Sequence, residues 1–304
     1  MNPNQTRRQF LKQSALAAGA LALATDNLLC AEAAAKRTAA DVVPLGNTGV
    51  KLSRLIMGTG SNNGHIQAAL GKQGFIDLVH YAYDHGVRGF DCSEHYATFP
   101  WLADAIKGLP RETIFLQSKI DRAPADVLAA IDAHRKMYQT DYVDSILVHC
   151  MVQPGWTEKW QPALDGFDQA KAKGMIRAKG VSCHSLPALR TAVASDWTEV
   201  HLVRVNPQGR RMDGEDASVW SPDSADREIA PVLAELKNMR AKGRGVIGMK
   251  IIGDGTFTDP EDREKSIRFA MARPELDAVV IGFKSTAEID EAIARMNRAL
   301  AEQA

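Results

Sequence analysis

From Val42 onward the chain alternates between two textures: short runs of β-branched and aliphatic residues, and longer segments whose apolar positions recur at helical spacing. The first unit pairs an apolar run, Arg54 to Met57, with a helix over Gly74 to His85 that gathers Phe75, Leu78, Val79 and Ala82 on one face. Strands are predicted at 87–91, 113–119, 143–149, 178–182, 200–206, 246–251 and 278–282. Between them lie helices at 102–107, 125–138 (opened by Pro124), 163–173 (closed by Gly174), 186–194, 229–241 and 263–271, with a last one at 286–301. Ahead of the first unit, Val42 to Ser53 reads as a hairpin turning at Asn47 to Gly49.

Strands that alternate with helices imply a parallel sheet covered by helices. Eight such units in about 260 residues have the size of a (β/α)8 TIM barrel, with the N-terminal β-hairpin plugging its lower end. The competitor is an open doubly wound sheet. Its pyrophosphate fingerprint G-x-G-x-x-G is incomplete in the first turn, Met57-Gly58-Thr59-Gly60-Ser61, so the barrel is preferred.

Composition adds mainly exclusions. Basic and acidic side chains balance at 37 each, so no nucleic-acid partner or anionic membrane surface is expected. A 45% apolar content is enough for a packed core. Four cysteines without a C-x-x-C spacing make neither a disulfide scaffold nor a zinc ribbon, and no metal site is expected.

In a barrel, chemistry gathers where strands end. The second strand ends at Asp91, followed by Tyr96; the third ends at Lys119 and the fourth at His149. Asp91 and His149 directly follow apolar strand residues, where packing alone would call for another aliphatic, and Lys119 closes the strand that opens with Phe115-Leu116. An ammonium beside a phenol favours the phenolate, so Lys119 is expected to lower the Tyr96 pKa, with Asp91 keeping the lysine charged. Tyr96, Lys119, Asp91 and His149 then form a general acid with an orienting group. No nucleophile–base pair for covalent hydrolysis is evident. A reductant is missing from such a set, since no side chain supplies hydride, and a nicotinamide is expected to bring it.

These residues, with Pro44 to Gly49, Arg54 to Gly60, Gly89-Phe90-Asp91, Ser118-Lys119, Leu147-Val148-His149 and Lys173 to Ser182, occur in the order of the aldo-keto reductase superfamily, which the chain resembles over residues 42–300. The resemblance implies Tyr96 as proton donor to a carbonyl, Lys119 and Asp91 as its tuning pair, His149 as the orienting group, and a small aldehyde or ketone as substrate. It also implies a dinucleotide cradle of Gly58, Thr59, Ser182, Cys183, Met249, Lys250, Gly253, Gly255, Gly282, Lys284 and Ser285. This cradle departs from the family: Cys183 replaces an asparagine, Leu202 a glutamine, Met249 a stacking tyrosine, Glu288 an arginine and Ala292 an asparagine. NADP is the cofactor implied, with NAD as the alternative that an acidic Glu288 would favour.

Trp101 and Trp156, in predicted loops, are candidates for the substrate pocket, joined by Trp160 and Phe99. The polar stretch 208–226 is a candidate lid. Cys92 and Cys150 directly follow Asp91 and His149, so strand alternation should turn them toward the helices.

The first 33 residues are expected to be removed. Arg7-Arg8 before an uncharged Ala/Leu stretch is the pattern of a twin-arginine signal, with Ala31-Glu32-Ala33 as an A-x-A cleavage site. The apolar stretch is too short to span a bilayer, and the mature form should carry no membrane span. Residues 34–41 then form a linker and 42–304 the barrel. The twin-arginine translocase becomes a partner during export, and the destination is the periplasm or the extracellular space. Two rival functions stay open: an exported nucleotide-binding or sensing protein on the same barrel with little turnover, and a metal-dependent hydrolase, which Lys119 between His149 and Asp91 opposes.

Overall fold

The computed structural model describes residues 37–217 and 226–303. The expected signal, residues 34–36 of the linker and the middle of the 208–226 stretch lie outside the described residues.

Among the described residues, eight parallel strands close into a barrel. They are β3 (Leu55–Gly58), β4 (Gly89–Asp91), β5 (Phe115–Ile120), β6 (Val143–Met151), β7 (Ile176–Cys183), β8 (Val200–Arg204), β9 (Gly245–Met249) and β10 (Ala278–Gly282). Each pairs with the next, and β10 closes the ring on β3 through Val279–Leu55 to Gly282–Gly58. The open-sheet alternative is thereby excluded.

Alternation along each strand sorts the core into two layers. Leu55 and Met57 point outward into the cluster shared with the helices, while Ile56 joins Phe115, Leu147, Ala178, Val200 and Ile247 inside the ring. The hairpin of β1 (Val42–Pro44) and β2 (Lys51–Ser53) is antiparallel, with Val43 opposite Leu52. Its Leu45, Val50 and Leu52 belong to the interior cluster, so the floor of the barrel is plugged by apolar side chains. Each is worth roughly 1.5–3 kcal/mol of burial. Asp277 clamps the plug by accepting the Gly46 and Val246 N–H groups. Gly245 makes room, since a Cβ there would collide with the Leu45 side chain.

Helices α1 (His65–Ala68) and α2 (Gly71–Asp84) follow β3; α2 buries the four apolar residues that the periodicity selects. The short α1 is a feature that the pattern does not predict. Next come α3 (Phe99–Ala105), α4 (Val127–Tyr138), α5 (Trp156–Ala172), α6 (Leu186–Ala194), α7 (Ala230–Ala241), α8 (Pro260–Met271) and α9 (Thr286–Ala301). Helix α4 starts after Pro124, because the Asp126 carboxylate accepts the Ala129 N–H and sets the cap there. Helix α5 starts at Trp156, not at residue 163, and carries Pro162 inside it. Among the described residues no helix is long and apolar enough to cross a membrane.

Candidate active site

The three strand ends that the sequence singles out converge at one rim. Lys119, at the end of β5, spends all three of its hydrogens: on Asp91 Oδ1 (2.7 Å), Asp91 Oδ2 (2.8 Å) and the Cys92 carbonyl (2.8 Å). Gln117 also donates to Asp91 Oδ1, at 2.8 Å. The buried ion pair is therefore fully satisfied. Tyr96 lies over it, with Lys119 Nζ 5.1 Å from the ring centroid. Gly60 opens the space for the phenol, since a Cβ at that position would run into the Tyr96 ring. The Tyr96 hydroxyl faces His149 Nε2 at 3.5 Å.

The electrostatics differ from the expectation in one respect. Tyr96 is pushed well above the ordinary value for a phenol, first by burial and then by the charge of Asp91. Lys119 spends its three hydrogens on Asp91 and the Cys92 carbonyl and has none left to give the phenolic oxygen. The phenol is held in its protonated form. Burial also lowers the pKa of His149, in part offset by the hydrogen bond to Asp121.

These four residues line a cavity of about 510 Å³. Of the expected cradle, Gly58, Ser182, Met249 and Lys250 line it, as do Gly255, Gly282 and Lys284. The other four do not. Thr59 is buried, its N–H and hydroxyl both spent on the Asp91 carbonyl. Cys183 turns outward into the helix-side core, and Gly253 is buried in a tight turn. Ser285 is taken up in capping α9, where its hydroxyl accepts the Glu288 N–H. Leu202, Glu288 and Ala292, the departures noted above, do line the cavity.

The charges at the β10–α9 end are already paired. Glu288 accepts the Lys284 N–H at 2.8 Å and lies 3.7 Å from its ammonium. Arg263 is bound by Glu291 at 2.8 Å. Lys250, in the left-handed region at φ 58°, donates to Asp254 at 2.8 Å.

Trp101 and Trp156 lie away from the cavity, not at its mouth as expected. Trp101 sits in α3 against Phe75, 6.3 Å between ring centroids, and Trp156 is buried in α5 with its indole N–H on the Ala188 carbonyl. Neither lines the cavity, because both belong to helices that pack on their neighbours instead of to loops at the mouth.

Cys92 points to the helix layer as alternation requires, but Cys150 does not. The register between β6 and β7 shifts at this point, and Cys150 has φ 58°. This bulge brings the thiol to within 3.7 Å of His184 Nε2. His149, Cys150 and His184 have ligand atoms within 4.8 Å of one another. Arg204 donates to His184 Nδ1 at 2.7 Å, however, so a neutral His184 carries its proton on Nε2 and offers no lone pair there to a cation. Burial raises the Cys150 thiol to about 12.

Asp121 and His184 are functional candidates that strand-end reading passes over. Each lies two positions beyond a predicted site residue, Lys119 and Ser182, where alternation returns a side chain to the same face.

A profile of the aldo/keto reductase family matches residues 54–304. The chain belongs to the aldo/keto reductase family. Within the family it is 26% identical over 182 residues to the uncharacterized oxidoreductase YtbE of Bacillus subtilis, covering 53% of this chain and 63% of that protein. It is 26% identical over 140 residues to the methylglyoxal reductase DkgB of Salmonella typhi, covering 43% and 52%. The chain thus matches roughly half to six-tenths of these relatives' lengths. Among solved structures, the aldo-keto reductase AKR11C1 of Bacillus halodurans superposes with a TM-score of 0.67 over 87% of this chain and 96% of that one, at 14% identity. At that identity the likeness is one of fold.

Proposed function

We propose that this aldo/keto reductase family member reduces a small aldehyde or ketone to the alcohol, using a nicotinamide dinucleotide. The observation that carries the reading is a protonated phenol, Tyr96, set between a saturated Lys119–Asp91 pair and His149 at the lining of a cavity. When bound, the dinucleotide supplies the hydride. Tyr96 delivers its proton to the carbonyl oxygen: even a phenol of raised pKa is a far stronger acid than an alcohol. Lys119 and Asp91 fix the floor beneath the Tyr96 ring. His149 orients the carbonyl.

The residues fit such a cofactor in part. Gly58, Gly282 and Gly255 let phosphate or ribose approach the backbone, and the cavity reaches from Tyr96 to Lys284. At the far end, Glu288 and Glu291 already hold the cations that a 2′-phosphate would need. Although family resemblance puts NADP first, this charge pattern supports NAD(H). A second reading, a binding protein with little turnover, is favoured by apolar Leu202 and Met249 in the cavity lining. The Arg7-Arg8 segment supports export by the twin-arginine translocase to the periplasm or beyond.

Tyr96→Phe tests the enzyme reading. Turnover of an aldehyde panel should fall by about 10²–10⁴-fold while nucleotide affinity holds. Wild-type protein that binds nucleotide without oxidising it would establish the sensor instead, and a fully active variant would remove Tyr96 as the acid.

A further inference from the structure

His149 has three polar neighbours. Its Nδ1 is hydrogen-bonded to Asp121 Oδ1, with Ser93 Oγ also 3.4 Å away, and its Nε2 faces the Tyr96 hydroxyl at 3.5 Å. Asp121 follows β5 directly and is anchored by its own N–H, which donates to Glu94 Oε1 at 3.2 Å. A carboxylate only accepts, so the proton between Asp121 and the ring is carried on Nδ1. A neutral His149 then has a bare lone pair on Nε2, the nitrogen that faces the reacting oxygen. In that state it cannot donate to a carbonyl, and it competes with the carbonyl for the Tyr96 proton.

We propose that Asp121 is a positioning residue for His149: it fixes the proton of the neutral ring on Nδ1 and favours the imidazolium, and so sets the pH at which reduction gives way to oxidation. This kinetic part rests on the carbonyl reduction proposed above; the protonation pattern itself does not. In reduction, the carbonyl carbon gains hydride originating in a reduced dinucleotide, and the carbonyl oxygen gains the Tyr96 proton. The Tyr96 phenolate then takes the Nε2 proton of the imidazolium. His149 is left neutral, its Nδ1–H still on Asp121, and recovers a proton from solvent once the alcohol leaves. In oxidation each transfer reverses, and neutral Nε2 receives the proton that Tyr96 has taken from the alcohol.

The charges around this dyad decide its pH response. Burial would raise Asp121, but the hydrogen bond and charge of His149 outweigh it and hold the carboxyl below its ordinary value. From β5, Lys119 opposes charge on His149, and from β4, Asp91 favours it. His184, after β7, meets the His149 ring edge-on at 6.2 Å, and Cys150 adjoins it on β6. On the solvent side, His95 Nε2 lies 3.5 Å from Asp121 Oδ2 and 3.9 Å separate its Nδ1 from Glu94.

Two measurements test the proposal. In protein labelled with 15N-histidine, the His149 signal, assigned by its loss in His149→Gln, should show a protonated Nδ1 and a bare Nε2 at high pH, and both nitrogens protonated at low pH. A neutral ring with its proton on Nε2 would overturn the proposal, whether or not the protein turns over any carbonyl. In kinetics, the reductive rate should fall as pH rises through the His149 pKa. Asp121→Asn removes the charge that favours the imidazolium, so this limb should move down by about one pH unit, with nucleotide affinity unchanged. His95→Gln should leave the limb in place. An unmoved limb in Asp121→Asn, or a limb that follows His95 instead, would overturn the proposal; a merely structural Asp121 would lower stability and leave the limb where it was.

Discussion

Replacing Glu288 by Gln isolates the charge at the β10–α9 end of the cavity. The carboxylate lies 2.8 Å from the Lys284 N–H and 3.7 Å from its ammonium, and both side chains reach solvent. Gln keeps the shape and can still accept the Lys284 N–H, so little but charge changes. For two unit charges about 5 Å apart in water-like dielectric the repulsion is about 0.8 kcal/mol, and a 2′-phosphate carries up to about two charges. The substitution also frees the Lys284 ammonium. Together these give about 1–2 kcal/mol, or roughly tenfold in affinity. Wild-type protein should bind NADH more tightly than NADPH in a fluorescence titration. In Glu288→Gln the NADPH dissociation constant should drop about tenfold while that of NADH moves less than about twofold, and the gap between variant and wild type should shrink in high salt. An equal gain for both nucleotides, or none for NADPH, would refute the assignment of this end of the cavity to the adenosine ribose.

Two further outcomes follow from single positions. Gly60→Ala places a methyl group against the Tyr96 ring, so turnover should fall about 100-fold in steady-state assays, with a stability loss of about 1–3 kcal/mol by urea titration. Asp213, buried beside Arg204 at 3.6 Å, is raised by burial to about 7. Unfolded, it would titrate near 4, so between about pH 4 and 7 the folded chain holds a proton that the unfolded chain releases. Its contribution is full below that range and lost as pH rises through 7. Asp213→Asn should therefore flatten the fall in melting temperature between pH 5 and 8; an unchanged slope would show that Asp213 does not titrate there.

The barrel was legible because period-two and period-3.6 patterns alternate cleanly, and hydrophobic burial reads those patterns directly. All eight barrel strands lie within a few residues of their predicted places. Asp91 and His149 were legible for the same reason, since a polar side chain at the end of an apolar run stands out, and Lys119 by its place at the next strand end. What escaped depends on local conformation. Trp156 is buried against Ala188 because its helix begins at residue 156 and carries Pro162 inside it, seven residues ahead of the predicted start at 163. Cys150 was misplaced because alternation fails at a bulge, and a positive φ in a non-glycine residue leaves no mark in composition. The raised pKa of Tyr96 is not legible in sequence, which shows Lys119 near the phenol but neither the depth of its burial nor that the lysine's three hydrogens are spent. Asp121 stands two positions past Lys119, beyond the strand end at which polar side chains stand out.

The barrel closes between its first and last strands, and Ala39 donates to the Asn297 side chain across 258 residues of chain. One edge of β3 therefore stays open while the ribosome makes everything that follows, and the ring can seal only once β10 has emerged. Nascent chain of this kind has no finished intermediate to hand to a transporter. If the paired arginines at its start do address a route for folded cargo, that route must wait for the ribosome to let go.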